Sequence, residues 1–125
     1  MTDALRRSQA EARGRRAEIW AAWLLRLKGF RVLDRRWRGP GGEIDLVARR
    51  GSLILFVEVK ARNHRADALA AVHPAAQARI AAAASAWLAR NTHRTGADPR
   101  LRFDVITVRP ARLPRHLADA FRPPS

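Results

Sequence analysis

Residues 42–62 read GEIDLVARRGSLILFVEVKAR, and this stretch predicts two β-strands joined by a tight turn. Residues 43–49 alternate between two faces, which is typical of a half-buried strand, and the alternation places Ile44, Leu46 and Ala48 on one of them. Residues 53–60 form a continuous apolar run interrupted only by Glu58 and Lys60 near its end. Between the runs, Gly51 supplies the positive φ that a tight connection needs. The stretch therefore predicts a β-hairpin.

The hairpin is expected to bring acidic side chains together. A turn centred on the peptide bond between residues 50 and 51 pairs Asp45 with Phe56 and makes Glu58 its diagonal neighbour, roughly 7–8 Å away. Side chains alternate along a strand, so Asp45, Glu58 and Lys60 project from one face, and a slip of one residue would separate them. Clustered like charges need a compensating cation. Hard oxygen ligands of this kind suit Mg²⁺ or Mn²⁺ rather than zinc.

A solvated strand face offers a simpler explanation for part of this pattern. An acid and a lysine two residues apart are common on such faces, so Glu58 and Lys60 alone are a weak catalytic signal. Asp45 on the partner strand and the apolar approach to Glu58 favour the functional interpretation. Lys60 is also informative because all but two of the 25 basic residues are arginine. A site that uses lysine here requires a compact ammonium whose pKa can shift.

Segments 42–47 and 56–62 resemble the YraN-like family of small bacterial proteins, which belongs to the restriction-endonuclease-like, PD-(D/E)xK superfamily. The resemblance extends more loosely from about residue 14 to residue 108, through Gly14-x-x-x-Glu18, Gln77-x-Arg79-Ile80 and Arg102-Phe103-Asp104-Val105. It implies an α/β fold with a restriction-endonuclease-like core, in which helices flank a central mixed β-sheet. It also implies a metal-dependent nuclease.

The resemblance assigns roles to individual residues. The ion, Mg²⁺ or Mn²⁺, would be held by Asp45, Glu58 and the backbone carbonyl of Val59. Lys60 would orient or deprotonate the attacking water, and Glu18 and Gln77 would assist. Two positions depart from the family pattern, since Arg36 stands near a usual asparagine and Ala76 stands where a lysine often precedes Gln77.

Residues 14–28 and 75–90 carry helical periodicity. In the first helix, we predict that the apolar stripe belongs to the core, and that its tryptophans are buried and do not stack on bases. The stripe consists of Ile19, Trp20, Trp23, Leu24 and Leu27. The opposite face has small residues around Glu18 and can approach a sheet closely, although a surface ion pair with Arg15 explains Glu18 equally well. In the second helix, the predicted buried stripe is Ile80, Ala84, Trp87 and Leu88. Gln77 continues that stripe and either serves the site or hydrogen-bonds a loop.

The remaining segments complete one domain, as a length of 125 residues suggests. Residues 30–37 and 101–109 are predicted strands, and Asp104 in the second is assigned a structural role. The nuclease-like domain spans 14–109. Residues 1–13 are predicted to be a flexible basic arm, and residues 110–125 a tail with one short turn around 117–121.

The net charge of +14 makes nucleic acid, with DNA preferred, the expected partner. A general arginine bias would also raise the charge. Arginines around the hairpin would contact phosphates or form a solvated edge: Arg35, Arg36, Arg38 and Arg62. The absence of cysteine excludes disulfides and thiolate metal sites, and four scattered histidines are interpreted as surface residues. The sequence has neither an apolar run long enough for a membrane span nor a signal core, which predicts a cytoplasmic protein.

The leading hypothesis is a metal-dependent nuclease that hydrolyses phosphodiester bonds. The runner-up is a nucleic-acid-binding protein on the same scaffold without appreciable cleavage, which Ala76 and Arg36 favour. A third alternative is a structural or interaction protein whose charge cluster has no catalytic role. Cutting both strands of a duplex would favour a homodimer.

Overall fold

A computed structural model describes residues 2–61 and 73–123 of the chain. The elements follow in the order α1 (Asp3–Leu27), β1 (Arg31–Gly39), β2 (Gly42–Arg50), β3 (Leu53–Ala61), α2 (Pro74–Arg90), α3 (Thr92–Thr95), β4 (Arg100–Val108) and β5 (Arg115–Phe121). The five strands form one sheet in sequence order, with β3 and β4 parallel and all other neighbours antiparallel. Because α1 and α2 pack on opposite faces of this sheet, the predicted mixed α/β architecture is confirmed.

The β2–β3 hairpin forms as predicted, but its register differs by two residues. Val47, rather than Asp45, lies opposite Phe56, and the ladder closes at Arg50 opposite Leu53. The loop is therefore residues 51 and 52, with Gly51 at φ +61° in its first position, where tight hairpins accept glycine. Since a shift of two residues preserves the face of every side chain, the predicted clustering of charges survives the wrong pairing.

Helix α1 buries its small-residue face, which was expected to approach the sheet closely, and leaves the tryptophan stripe exposed. Small side chains approach the sheet, with Ala17, Ala21, Ala22 and Leu25 all buried. Trp20 and Trp23 are 60% and 56% exposed, so the prediction that they are core residues is wrong. Alanine side chains let the helix axis lie close to the strands, and the bulky stripe then has no room on that side.

The helix also begins earlier than predicted. It starts at Asp3, and the Thr2 side-chain oxygen accepts a 3.1 Å hydrogen bond from the Leu5 backbone N–H. This is an N-cap, which satisfies one of the free amide donors of the first turn. The structure therefore continues the helix through most of the segment that was predicted to be a separate arm.

Helix α2 covers the other face of the sheet with the predicted stripe. Ile80, Ala84 and Trp87 are buried, together with Ala83, and Leu88 packs partly against them. The β1–β2 turn comes very close to this helix, since a Cβ on Gly41 would lie 2.7 Å from the Ala82 Cβ. Glycine at φ +90° is what allows this approach, which sets α2 beside the end of the hairpin.

The C-terminal segment adds a strand to the sheet. β5 pairs with β4, including Val105 opposite Leu117 and Thr107 opposite Arg115, so the predicted turn around residues 117–121 is wrong. Asp104 on β4 explains why the segment pairs, because its buried carboxylate accepts a 2.9 Å hydrogen bond from the Asp119 backbone N–H.

The Asp104 carboxylate is the centre of a buried polar cluster. Arg102 donates two hydrogen bonds of 2.9 Å to it, and His116 Nε2 lies 2.7 Å away. Burial by itself would raise the pKa of Asp104, but the hydrogen bonds from His116, Arg102 and the Asp119 backbone hold the pKa below its ordinary value. The other nitrogen of His116, Nδ1, is 2.9 Å from Lys28 Nζ. His116 is thus an internal connector and not the surface residue predicted, whereas the structural role predicted for Asp104 agrees with its contacts.

No helix in residues 2–61 or 73–123 combines the length and apolar character needed to cross a membrane.

Candidate metal centre

The candidate site lies where β2 and β3 separate at the open end of the hairpin. The ladder between these strands ends at Leu46 opposite Val57. Beyond it, Asp45 Oδ2 accepts a 2.8 Å hydrogen bond from the Val59 backbone N–H. A side-chain carboxylate thus binds an amide that a β2 carbonyl would otherwise bind, which opens the strand pair and keeps the Asp45 side chain against β3.

The separation of the strands also changes the direction of the neighbouring side chains. Leu46 and Ala48 pack in the cluster under α1, whereas Ile44 packs with Val47 in the cluster under α2. The predicted grouping of Ile44 with Leu46 and Ala48 is therefore wrong, because strict alternation along β2 fails at Asp45. The failure places this carboxyl between the two faces of the sheet.

Three charged groups meet at this point. The Asp45 carboxyl lies close enough to Glu58 for the two to interact electrostatically, and Lys60 Nζ lies 3.2 Å from Glu58 Oε2. Burial is the main reason that the pKa of Asp45 rises from 3.8 to about 7, and the Glu58 charge raises it further. The Val59 N–H and the Lys60 charge act in the opposite direction. Near neutral pH, the Asp45 and Glu58 carboxyls can therefore release a proton when a metal cation binds to them.

A cleft of about 400 Å³ exposes this group on the α2 side. Asp45, Glu58, Val59 and Lys60 line one wall. The start of α2 lines the other with His73, Ala76 and Arg79. Gln77 is on the same helix but is not among the lining residues, so the structure does not bring its side chain into the cleft.

Arg79 is a residue of the cleft to which the sequence analysis assigned no role. It lies three positions after Ala76, on the same helix face, and lines the cleft with it. The sequence could have indicated Arg79 by this spacing, because the resemblance places a lysine at the position of Ala76. The longer Arg79 side chain, one turn later on the helix, can place its positive charge in the same part of the cleft.

A second cleft of about 320 Å³ reaches the site from the α1 side. Its lining includes Glu18, Arg36, Arg38 and Glu43, and it shares Asp45 with the first cleft. Glu18 therefore faces the hairpin carboxyl group as expected. Its charge is already paired, since Arg36 Nε lies 2.5 Å from Glu18 Oε2, and the alternative pairing with Arg15 is not observed.

The backbone gives a conformational reason for the asparagine that the family resemblance places near Arg36. Arg36 has φ +52°, in the left-handed region that asparagine enters more readily than most residues. Arginine occupies the same conformation here, and its guanidinium extends to Glu18. Arginine at this position thus keeps the local backbone conformation and forms an ion pair at the edge of the second cleft.

Comparison with known families supports part of the sequence interpretation. The model of a family described as "Uncharacterised protein family UPF0102" matches residues 17–108, which include α1 from Ala17 onward, the hairpin, α2 and β4. The chain belongs to the UPF0102 family. A UPF0102 protein of Bartonella quintana is 51% identical over 116 residues, covering 93% of each chain. One from Rhizobium etli is 52% identical over 113 residues, covering 90% of this chain and 91% of the relative.

A third UPF0102 relative, from Parvibaculum lavamentivorans, is 54% identical over 110 residues, covering 88% of this chain and 81% of its own. These matches confirm the YraN-like family that the hairpin motifs predicted. Asp45, Glu58 and Lys60 all lie within the matched range of this UPF0102 member.

The donor set of this UPF0102 site fits a hard divalent cation with several remaining waters. Asp45 and Glu58 provide carboxylate oxygens, and Val59 has a backbone carbonyl on the same strand as Glu58. In the part of the chain that the structure describes, no three acidic or histidine side chains converge as a metal-binding group. Two carboxylates and a carbonyl suit Mg²⁺, which commonly keeps several waters and uses few protein ligands.

The arginines predicted to bind nucleic acid are placed unevenly. Arg36 is paired with Glu18, and Arg38 Nε lies 3.0 Å from Glu43 Oε2 at an exposed position. Arg35 lines a neighbouring pocket between α1 and β1. Arg62 lies outside the described residues. The turn therefore presents less free positive charge than its sequence suggests.

Proposed function

We propose that this UPF0102 protein is a metal-dependent nuclease with a restriction-endonuclease-like core. The observation that carries the proposal is the contact between the Asp45 and Glu58 carboxyls beside Lys60, in a cleft that solvent reaches. A buried acid with a strongly raised pKa and a specific charged neighbour is typical of functional sites. The mixed sheet with parallel β3 and β4, flanked by α1 and α2, supports the superfamily assignment.

In this mechanism, Asp45, Glu58 and the Val59 carbonyl would hold Mg²⁺ or Mn²⁺. The bound ion would lower the pKa of a water molecule and offset the charge that develops on the phosphate. Glu58 holds the Lys60 ammonium at 3.2 Å, which positions it to orient the attacking water or, after losing a proton, to deprotonate it. Arg79, on the opposite wall of the cleft, would contact a phosphate of the substrate.

The raised pKa of Asp45 predicts a stability cost that a neutral side chain removes. Between about pH 4 and pH 7, the folded state binds more protons at Asp45 than the unfolded state, so the free energy of unfolding falls as the pH rises. We expect Asp45→Asn to be more stable than the wild type by about 2 to 4 kcal/mol at pH 8, with little difference at pH 4. Urea denaturation in EDTA at both pH values measures this. Glu43→Gln, at a neighbouring exposed acid, should show no comparable gain, and a wild-type advantage at pH 8 would contradict the assignment.

The variant Asp45→Asn also tests the metal site. Mn²⁺ should raise the melting temperature of the wild type, because binding to the folded state stabilises it by mass action, and should have little effect on Asp45→Asn. The shift should be larger at pH 8 than at pH 6, since protons compete for Asp45. Equal shifts in both proteins would remove the metal site from the proposal.

Arg79 should contribute to substrate affinity through a phosphate contact. We expect Arg79→Ala to weaken nucleic-acid binding several-fold, and to lower the slope of log affinity against log salt by about 1. Fluorescence anisotropy at several salt concentrations measures both. Arg31→Ala is the matched control, because Arg31 is an exposed arginine at the other end of the hairpin ladder. Equal losses in the two variants would show a general effect of charge and not a contact in the cleft.

A nucleic-acid-binding protein without cleavage is the second candidate. Ala76 removes one expected phosphate contact, and the Glu18–Arg36 ion pair engages an acid that would otherwise assist the metal. This candidate predicts binding across a panel of DNA and RNA structures, with no Mg²⁺- or Mn²⁺-dependent product. Cleavage of any member of the panel by the wild type, but not by Lys60→Ala, selects the nuclease.

A further inference from the structure

Another pocket, of about 640 Å³, lies between α1 and the connection from β4 to β5. Its volume is within the roughly 300–1,000 Å³ of ligand sites. Its lining combines guanidinium groups with exposed apolar surface, and the described residues that line it include no acid. The principal lining residues are Arg13, Arg16, Arg109, Arg112, Trp20 and Leu113. This composition suits a ligand that is both anionic and aromatic.

The arginines of this pocket have no acidic partner among the described residues, unlike Arg36 and Arg38 beside the candidate metal site. Within residues 2–61 and 73–123, Arg13, Arg16, Arg109 and Arg112 form no salt bridge, whereas Arg36, Arg38, Arg94, Arg102 and Arg122 each do. The Nε of Arg109 is buried and has no hydrogen-bond partner there. Arg109 also lines the pocket, so this guanidinium, which has no acidic partner there, is available to bind an anion.

Trp20 supplies the aromatic part of the pocket. It is 60% exposed and adjoins exposed Ile19 and Trp23, and a contiguous exposed apolar patch of this kind marks an interaction surface. Trp23, one turn along α1, is exposed to a similar degree but does not line this pocket. An exposed indole beside unpaired arginines is the combination that single-stranded nucleic acids use, with bases on the ring and phosphates on the cations.

We propose that this pocket binds a segment of single-stranded nucleic acid, with a base stacked on Trp20 and a phosphate bound by Arg16 and Arg109. A second copy of this chain is disfavoured as the occupant, because it would place more arginines against these in a protein of net charge +14. A flat anionic bilayer is also disfavoured, since it engages protruding side chains, whereas this site is a concave pocket of about 640 Å³.

The choice of nucleic acid as the ligand rests on the proposed function, but the inference does not require that the protein cleaves it. Ala61, at the end of β3, lines the pocket and directly follows Lys60, which lines the metal cleft on the other side of the sheet. The two sites therefore adjoin consecutive residues at the end of β3. A paired duplex would keep its bases stacked inside the helix, so the favoured substrate is single-stranded or carries a single-stranded arm.

The test is the affinity of the full chain for a labelled oligothymidylate in EDTA, measured by fluorescence anisotropy. Trp20→Ala and Arg16→Glu should each weaken binding about tenfold or more, since a stacked base contributes substantially to affinity. The matched controls are Trp23→Ala and Arg31→Glu, which remove an equally exposed indole and an equally exposed arginine outside the pocket. Both controls should bind within about twofold of the wild type, and circular dichroism should show unchanged folding in all four variants.

Three results would overturn the inference. Equal losses in Trp20→Ala and Trp23→Ala would assign binding to the whole helix face. Unchanged oligonucleotide binding in Trp20→Ala, with lost binding to phosphatidylglycerol vesicles, would assign the pocket to a membrane surface. Unchanged oligonucleotide binding with lost self-association would assign it to a second copy.

The two proposals fail in different ways. Weaker binding in Trp20→Ala without cleavage by the wild type would uphold the pocket and reject the nuclease. Cleavage that depends on Lys60 but an unaffected Trp20→Ala would do the reverse.

Discussion

Lys60→Ala is expected to lower metal-dependent cleavage by about 10²- to 10⁴-fold, the usual contribution of a positioned acid or base. Nucleic-acid binding should be retained, because Lys60 is one cation in a chain of net charge +14. The loss follows from the position of the ammonium, 3.2 Å from the Glu58 carboxylate and in the cleft that the substrate would enter. Single-turnover assays with Mg²⁺ or Mn²⁺ on branched, single-stranded and duplex DNA measure the rate.

Two further variants sharpen this prediction. Lys60→Arg keeps the charge but replaces a compact ammonium with a planar group whose proton is not available, so it should also be inactive. Lys28→Ala removes the other lysine of the chain, which is exposed beside His116, and should retain cleavage. Cleavage by Lys60→Ala at the wild-type rate would reject the role assigned to this residue.

Asp104→Ala should destabilise the protein by about 3 to 5 kcal/mol, because it leaves buried hydrogen-bonding groups of Arg102 and His116 without their anion. The Asp119 backbone N–H would lose its acceptor as well, so β5 should detach more readily from β4. Urea denaturation at pH 7 measures the change. Asp98→Ala, at an exposed acid without a resolved ion pair, should be within about 0.5 kcal/mol of the wild type.

The pH dependence provides a second check on Asp104. Its pKa is lowered in the folded state, so its stabilising contribution is complete above the ordinary carboxyl pKa and is lost as the pH falls through the folded pKa. The difference between wild type and Asp104→Ala should therefore be largest at neutral pH and should shrink on acidification. A constant difference across this range would show that lost packing, and not the charge, causes the destabilisation.

Asp45 and Asp104 show how different neighbours shift the pKa of a carboxyl group in opposite directions. Asp104 has cationic donors around it, and its pKa is lowered. Asp45 faces Glu58, and its pKa is raised, so the folded protein keeps an unfavourable carboxyl pair near neutral pH. Destabilised groups of this kind are retained where activity needs them, which is consistent with the proposed metal site.

The amino-acid sequence determined the hairpin, the shared location of Asp45, Glu58 and Lys60, and the buried stripe of α2. These features depend on local periodicity, and period 2 kept the three charged side chains together despite a register error of two residues, although the alternation failed for Ile44. The motifs of the hairpin also sufficed to predict the family.

Only the tertiary structure decided which side of α1 is buried, because that choice depends on how closely the alanine face can approach the sheet. It also decided the pairing of Glu18 with Arg36, the entry of Arg79 into the cleft and the position of β5, which a buried carboxylate twelve residues from His116 holds in place. Such contacts join residues far apart in the chain, and their energies depend on burial and distance, which no local pattern encodes.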